Sequence, residues 1–323
     1  MAPEIFVNRT EIHPCYVIDN FNNILTNSPS ITCVLIYVFL ALLSVITICG
    51  NFLVIISIVY FKQLHTPTNY LILSLAAADL LVGIIVFPFN MVFSYSQCLY
   101  PDGLICNVRG SFHISLSTCS ILTLCCISVD RYYAVCQPLT YTTKINHYVV
   151  ATMILVNWGV SVLIGIVVTI VGLNSETCEE SCLIKVLIAA TIGPILSFYL
   201  PAIIMLCIYL KIFLVALKQA RRIQNTKSGA AVSKKERKAT KTLAVVLGVF
   251  LLCWTPFFLC ITFLPYIDSV PVPVMETLNW LALSNSMLNP FIYAFFYSWF
   301  RLAFKMIISG KIFRGDFDNS KLH

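Results

Sequence analysis

Charged residues are scarce in this chain: they make up 11% of its 323 residues, against about 25% in an ordinary soluble domain. Hydrophobic residues reach 59%, and the mean hydropathy is +0.88. Segments of about ten residues with alternating polarity, the pattern of a membrane β-barrel, are also missing. The shortage of charge is too large for an ordinary buried core. The composition therefore predicts an all-α integral membrane protein.

The sequence also lacks a catalytic signature and any internal echo between its halves. No Ser-His-Asp set and no zinc-ligand spacing converges on either face, so we expect no enzyme. Transporters usually show two related halves with broken helices, and seven spans without such symmetry disfavour a transporter, which stays the alternative from another class of protein. The fourteen cysteines lie mostly within apolar runs, where they behave as small hydrophobic residues.

Seven apolar runs are long enough to cross about 30 Å of hydrocarbon as helices. They lie near residues 32–60, 69–95, 104–135, 148–173, 184–217, 240–266 and 272–297. We expect an extracellular N-terminus at 1–31, a seven-transmembrane-helix bundle at 32–297, and a short amphipathic cytoplasmic helix with the tail at 298–323.

The distribution of basic residues predicts the orientation. Eighteen of the twenty-one lysines and arginines fall on one side, and only Arg9, Arg109 and Lys185 fall on the other. Because basic residues stay in the cytoplasm, the N-terminus is expected outside the cell and the C-terminus inside. Asn8 begins an Asn-Arg-Thr glycosylation acceptor on the predicted outer side.

A polar stripe interrupts the third run, where residues 109–117 read RGSFHISLS. Arg109, His113, Ser117 and Ser120 are spaced by three and four residues and therefore share one helical face. We expect this face to line a cavity in the bundle, with Arg109 either facing that cavity or extending to water or a loop acid.

A carboxylate lies in the middle of the second run, in LSLAAADLLVG, as Asp79. Ionisable groups inside a membrane are costly and are candidates for function. Residues with oxygen ligands lie at a similar depth in their own runs: Asn51, Ser120, Asn285, Ser286 and Asn289. Oxygen ligands in that number suit a small hard cation, and we expect an allosteric sodium ion at Asp79 with Ser120, Asn285 and Asn289. The alternative is a carboxyl group satisfied by neighbouring hydroxyls and amides.

Two features predict a switch at the cytoplasmic side. Asp130-Arg131-Tyr132 ends the third run, and an arginine can bridge Asp130 and Glu236, which begins the sixth helix. The basic stretch 218–239 either only contacts anionic lipid or continues the fifth and sixth helices towards a cytoplasmic protein.

Proline interrupts four of the runs, and each proline is expected to kink its helix around a cavity. These residues are Pro88, Pro201, Pro256 and Pro290.

Taken together, these motifs resemble the rhodopsin-like G-protein-coupled receptors. The resemblance covers all seven runs, and it rests on Gly50-Asn51, Leu75-x-x-x-Asp79, Asp130-Arg131-Tyr132, Trp158, Pro201, Phe250-x-x-x-Trp254-x-Pro256 and Asn289-Pro290-x-x-Tyr293. A narrower resemblance, to the trace amine-associated receptors, rests on YFKQLHTPTNY in the first loop and on NSMLNPFIYAFFYSWF at residues 285–300.

The resemblance implies a receptor for a small molecule, of the olfactory type, acting through a heterotrimeric G protein that raises cyclic AMP at the plasma membrane. The implied ligand pocket is lined by Arg109, His113, Ile114, Ser117, Ser197, Trp254, Phe257, Phe258, Glu276 and Trp280. The implied activation and G-protein residues are Asp130, Arg131, Tyr132, Tyr209, Glu236, Asn289, Pro290 and Tyr293. The implied disulfides are Cys106–Cys182 and Cys15–Cys178, which leaves Cys98 without an obvious partner.

The residues that usually bind an amine in this family are missing. His113 stands where relatives carry an aspartate, Leu283 replaces the tyrosine that braces it, and Gly193 and Pro194 occupy the alternative aspartate positions. An amine is expected to place its positive end near Glu276 or the Glu179–Glu180 pair, whereas an acidic or zwitterionic ligand is expected at Arg109 and His113. A receptor of the serotonin or adrenergic kind remains the alternative within the family.

Overall fold

The computed structural model describes residues 31–92, 104–173, 192–224, 230–263 and 270–309, and helices dominate these ranges. No β-strand occurs among them. The helices are α1 (Ile31–Tyr60), α2 (Pro67–Leu81, then Val82–Val86 and Phe87–Val92), α3 (Leu104–Cys136), α4 (His147–Leu173), α5 (described from residue 192 and ending as Leu200–Gln224), α6 (Ala230–Phe263), α7 (Val272–Phe296) and α8 (Ser298–Ile308). The all-α, seven-helix fold is confirmed.

Six of the seven long helices, α1 to α6, are long and apolar enough to cross a membrane by length and hydropathy. The seventh, α7, is 25 residues long and carries the polar residues Glu276, Asn279, Asn285 and Asn289 within its span. Its polar face is turned to the interior, where the three asparagines are buried. A helix of this kind is recognised by its place in the bundle rather than by hydropathy.

Two helices extend beyond the apolar runs that predicted their membrane spans. Helix α5 continues past 217 to Gln224, and α6 begins at Ala230, before 240, whereas the apolar spans within them, Ile192–Lys218 and Ala244–Phe263, agree with the predicted runs. Lys, Arg, Glu and Ala favour helix, so the helices persist after hydropathy has fallen. The prediction that the stretch 218–239 continues both helices therefore holds for its described parts. The predicted start of α5 at 184 lies outside the described residues.

The four prolines expected to kink their helices are accommodated in two different ways. Pro88 and Pro201 each follow a π-helical turn, Val82–Val86 and Ile195–Tyr199. The wider turn accommodates the proline ring, which would otherwise clash with the carbonyl four residues earlier. Pro256 and Pro290 instead lie inside the continuous helices α6 and α7.

The carbonyl freed by Pro290 is satisfied by a neighbouring helix. Pro290 has no N–H to donate to the Ser286 carbonyl, and the Asn51 amide of α1 donates to that oxygen at 3.0 Å. The helices meet closely because Gly50 has no side chain: a Cβ there would lie 2.9 Å from the Pro290 ring. The Gly50-Asn51 pair and Pro290 are therefore one packing unit.

Helix α3 occupies the centre of the bundle and packs most extensively against α4, α5 and α2. Its contact with α4 is close and polar. The Ser111 and Thr169 hydroxyls are hydrogen-bonded, and Asn157 donates to the Cys119 carbonyl at 3.1 Å. On the other face of α4, the Trp158 indole donates to Ser74 of α2 at 3.0 Å.

The predicted amphipathic helix after α7 is present as α8. Its buried side packs Ala303 against the α1–α2 connection at Phe61 and Leu64, and Phe300 packs against Tyr293 of α7. Arg301 turns back and donates to two carbonyls at the end of α7, each at 3.0 Å. Those carbonyls lack partners within their helix, so this cation caps α7.

We expect Gly165→Ala to destabilise the bundle, because a Cβ at this position would run into Ser115 Oγ and would lie 3.1 Å from the Ser111 carbonyl. Overpacking of this kind costs about 1–3 kcal/mol. Gly159 in the same helix has open space around it, so Gly159→Ala should keep or slightly raise stability. The measurement is thermal unfolding of the two purified variants. Equal unfolding temperatures would contradict the close α3–α4 contact.

Candidate functional site

The polar stripe of α3 faces the interior of the bundle. Arg109, Ser117 and Ser120 are each at least nine-tenths buried, whereas Phe112 between them is 41% exposed. His113 is half-buried as a residue, but its Nε2 atom is buried and has no hydrogen-bond partner. The same is true of Ser117 Oγ. Arg109 already has an interaction of its own. The stripe thus provides two buried polar atoms, on His113 and Ser117, that the protein itself leaves unused.

Aromatic rings of α6 close the space opposite the stripe. The His113 ring lies 6.2 Å from the Phe257 ring, and Phe257 contacts Phe258 at 5.7 Å. Trp254 contacts Phe258 in turn, at 5.8 Å, and the Trp254 indole nitrogen is buried without a partner. The expected approach of His113 to the α6 rings is therefore observed.

The remaining predicted pocket residues are not brought into contact with His113 by the contacts that the structure describes. Trp280 of α7 contacts Phe87 of α2, with ring centroids 5.3 Å apart. Glu276 and Ile114 are half-buried, and Glu276 has an interaction of its own. The Ser197 hydroxyl donates to the Gly193 carbonyl at 2.7 Å, which uses its proton within α5.

Two further asparagines, which no sequence pattern indicated, are buried in α2 and α7. Asn90 of α2 and Asn279 of α7 are 8% and 3% exposed. Neither amide atom of Asn90 has a partner, and the Asn279 oxygen has none. Buried polar groups are almost always hydrogen-bonded, so each exception requires an explanation.

Leu283 takes part in an apolar cluster beneath these asparagines. It is 1% exposed and packs with Phe87, Val86 and Leu116 between α2, α3 and α7. Among the alternative aspartate positions in α5, Gly193 is exposed and Pro194 is buried. None of these residues supplies a charge or a polar side chain to the interior.

Asp79 lies deeper, at the junction of α2, α3 and α7. It is fully buried, and it accepts hydrogen bonds from Ser120 at 2.9 Å, Ser286 at 2.7 Å and Asn289 at 2.6 Å. The predicted residue Asn285 is buried beside this group, and its oxygen has no partner. Three donors from two other helices satisfy the carboxylate.

A second buried carboxylate, Asp130, lies near the Cys136 end of α3. Arg131 forms an ion pair with it at 2.8 Å, Thr68 of α2 donates to it at 2.9 Å, and Tyr141 donates at 2.8 Å. Burial raises the pKa of the Tyr141 hydroxyl, and the Asp130 charge adds to the rise, so the hydroxyl keeps the proton that it donates. The side chain of Glu236 lies outside the described part of the chain.

Three tyrosines surround this end of the bundle. Tyr209 of α5 accepts a hydrogen bond from Ser128 at 3.0 Å, and Tyr132 lies under the Lys211 ammonium at 5.9 Å. Tyr293 of α7 is buried, with its ring 6.5 Å from that of Phe300 in α8. Tyr209 and Tyr132 thus connect α3 with α5, and Tyr293 connects α7 with α8.

Several sequence predictions concern residues outside the described ranges. Asn8, Cys15, Cys98, Cys178 and Cys182 belong to this group, and of Cys106 only its position in α3 is described. The predicted disulfides and glycosylation therefore remain predictions.

The hydrogen bond from Ser286 to Asp79 agrees with the similar depth of the two residues in the sequence. The partners of Asp130 had no such signal. No pattern in the sequence brings Thr68 and Tyr141 to Asp130, because each comes from a different element.

Comparison with known proteins gives a consistent result. Residues 50–293 match the model of the seven-transmembrane receptor family of the rhodopsin type. The chain is 42% identical to trace amine-associated receptor 1 of Macaca mulatta over 330 residues, covering 95% of this chain and 97% of the relative. It is 41% identical to trace amine-associated receptor 4 of Mus musculus over 333 residues, covering 97% and 96%, and 41% identical to receptor 9 of the same species over 307 residues, covering 89% and 88%.

These relatives are receptors, not enzymes, and the match spans nearly the whole chain, including the Asp79 and Asp130 centres. The chain is therefore a multi-pass membrane receptor of the rhodopsin-like G-protein-coupled family, and within that family it belongs to the trace amine-associated receptors.

Proposed function

We propose that this receptor is of the olfactory type, takes a small molecule into the outer half of its bundle, and activates a G protein that raises cyclic AMP. The observation that carries the G-protein part is the Asp130 centre. Asp130 holds Arg131 with help from Thr68 and Tyr141, so the arginine is restrained until this centre opens. Arg131 is thus either held by Asp130 or released from it, and a conformational switch requires two such alternative arrangements.

The helices next to this centre support coupling to a cytoplasmic protein. Helices α5 and α6 extend past the apolar spans to Gln224 and from Ala230, and their extensions carry many lysines and arginines. Agonist binding would favour an outward swing of α6, as the family resemblance implies. This orientation needs the N-terminus outside the cell, and the basic-residue distribution supports it.

The ligand site proposed here lies between the α3 stripe and the α6 rings. Burying a ligand ammonium without a carboxylate beside it is costly, and His113 offers none. The rings of Trp254, Phe257 and Phe258 supply the apolar surface that small-molecule sites use, while His113 and Ser117 supply orientation.

We further propose that the Asp79 centre binds sodium in the inactive receptor. The residues fit such an ion: besides the carboxylate there are the hydroxyl oxygens of Ser120 and Ser286, and the Asn285 oxygen is buried without a partner. Oxygen ligands suit a hard cation, and an ion that binds one conformation better shifts the equilibrium towards it.

We expect sodium chloride to raise the unfolding temperature of the purified receptor above that in potassium chloride, because ligands of the folded state stabilise it. Asp79→Asn removes the charge and should abolish the difference between the two salts. Thr277→Val, on the outward face of α7, serves as control and should keep the difference. A wild-type receptor that unfolds at the same temperature in both salts would exclude the sodium site.

We expect Tyr141→Phe to raise basal cyclic AMP in cells, because it removes one hydrogen bond from Asp130 and loosens its hold on Arg131. A loss of about 1 kcal/mol would multiply the ratio of active to inactive receptor by about five. Glu236→Ala should give a smaller rise, since exposed ion pairs contribute about 0–1 kcal/mol.

The matched control is Tyr148→Phe, at a tyrosine that is 86% exposed. It should leave basal cyclic AMP unchanged at equal surface expression. We also expect Arg131→Ala to reduce basal cyclic AMP below that of the wild type. An unchanged level would argue against coupling through this centre.

A further inference from the structure

The outer half of the bundle contains a group of buried polar atoms that the protein does not use. Among the side chains that the structure describes, Asn90 is the one residue with both polar atoms buried and unpartnered. The Asn279 oxygen, His113 Nε2, Ser117 Oγ and Trp254 Nε1 also lack partners. The oxygens of Asn51, Asn157 and Asn285 are buried without a partner too, but the Asn51 and Asn157 amides donate within the protein, whereas neither atom of Asn90 is used. An unmatched buried donor or acceptor costs about 1–3 kcal/mol, so five such residues form an expensive arrangement unless something binds there.

The contacts of neighbouring residues bring these side chains to one space. Phe87 shares the face of Asn90, three residues away, and it contacts Trp280, which adjoins Asn279. Leu283, one turn after Asn279, packs with both Phe87 and Leu116 of α3. The faces of α2, α3 and α7 that carry Asn90, His113 and Asn279 therefore converge.

The two charged side chains described in this half of the bundle are already engaged. Arg109 and Glu276 each have an interaction of their own. The groups that still lack partners are uncharged, and they include a donor without acceptor capacity, the Trp254 N–H, together with the acceptor oxygens of Asn90 and Asn279.

A free amide group selects its partner by chemistry. An ammonium can only donate and would leave the Asn90 NH₂ unpaired, whereas a carboxylate can only accept and would leave the oxygen unpaired. A carboxamide has both a donor and an acceptor and can pair with Asn90 through two hydrogen bonds. It also carries no charge to desolvate among neutral groups.

We propose that this receptor recognises its ligand through an uncharged carboxamide-type group, held by Asn90 and Asn279 beneath the outer surface, with the apolar part of the ligand among the α6 rings. This inference rests on the proposed ligand site between the helices and gives it a chemical class. It also assigns two specificity-determining residues to helices α2 and α7.

The test uses three probes that share a phenethyl body: 3-phenylpropanamide, 3-phenylpropanoate and 2-phenylethylamine. Purified full-length receptor is heated with each probe, and the unfolding temperature is recorded; no G protein is needed. We expect the amide to raise the unfolding temperature at lower concentration than the other two. Stronger stabilisation by the amine or by the acid would overturn the proposal, and so would no stabilisation by any probe.

Variants locate the site. Asn90→Leu and Asn279→Leu should each weaken amide binding about tenfold, the effect of losing a well-formed buried hydrogen bond. They should also keep or raise the stability of the receptor without probe, since each removes an unpartnered polar group.

Asn157→Leu is the matched control, because the Asn157 NH₂ group is used within the protein, donating to Cys119 and Thr123, so that its oxygen alone is without a partner. It should lower stability without changing the probe concentration at half effect. Amide binding that is unaffected by both Asn90→Leu and Asn279→Leu would contradict the assignment. Failure of cyclic AMP signalling with amide binding intact would instead contradict the proposed function alone.

Discussion

The hydrocarbon of the bilayer offers no hydrogen bonds, and this constraint governs the placement of nearly every polar group in the receptor. Backbone groups are satisfied within helices, and side-chain groups must find partners on neighbouring helices. Asp79 shows the result most clearly, since Ser120 of α3 and Ser286 and Asn289 of α7 all donate to it. Where proline frees a carbonyl, the Asn51 amide takes over. The helices are thus joined at a few polar points inside an otherwise apolar bundle.

The polar groups of the interior divide into two kinds. At the α3–α4 contact and at the Asp79 and Asp130 centres, donors and acceptors meet at 2.5–3.1 Å, and the groups fix the positions of helices. Elsewhere in the interior, His113, Ser117, Asn90 and Asn279 have buried polar atoms without a protein partner. The oxygens of Asn51, Asn157 and Asn285 also have none, although the Asn51 and Asn157 amides donate to neighbouring helices. Partnered groups therefore describe the scaffold, and the proposed ligand site lies where unpartnered groups of α2, α3 and α7 come together. Ser120, one turn of α3 from Ser117, connects this region to Asp79.

Much of the fold could be predicted from the sequence, because hydropathy and helical periodicity are local properties. The spans were placed within a few residues, except where α5 and α6 continue beyond the membrane on helix-forming charged residues. The shared polar face of α3 followed from spacing, and its inward direction from the resemblance to the receptor family. The partners of Asp130 could not be predicted, because Thr68 and Tyr141 approach it from separate elements, and only the packing of α2 against α3 brings them together. Asn90 and Asn279 were not predicted for a related reason. The sequence does not show whether an asparagine in an apolar run has a hydrogen-bond partner on a neighbouring helix.

We propose that the unpartnered polar groups of Asn90, Asn279, His113 and Ser117 mark the ligand site of this receptor. Electron cryomicroscopy of the receptor in complex with its G protein and a bound agonist would show the site directly. We expect non-protein density within hydrogen-bonding distance of the Asn90 amide and the Asn279 oxygen, with the apolar part of the ligand against Phe257 and Phe258. Agonist density confined to the extracellular loops, with Asn90 and Asn279 hydrogen-bonded to other side chains, would contradict it.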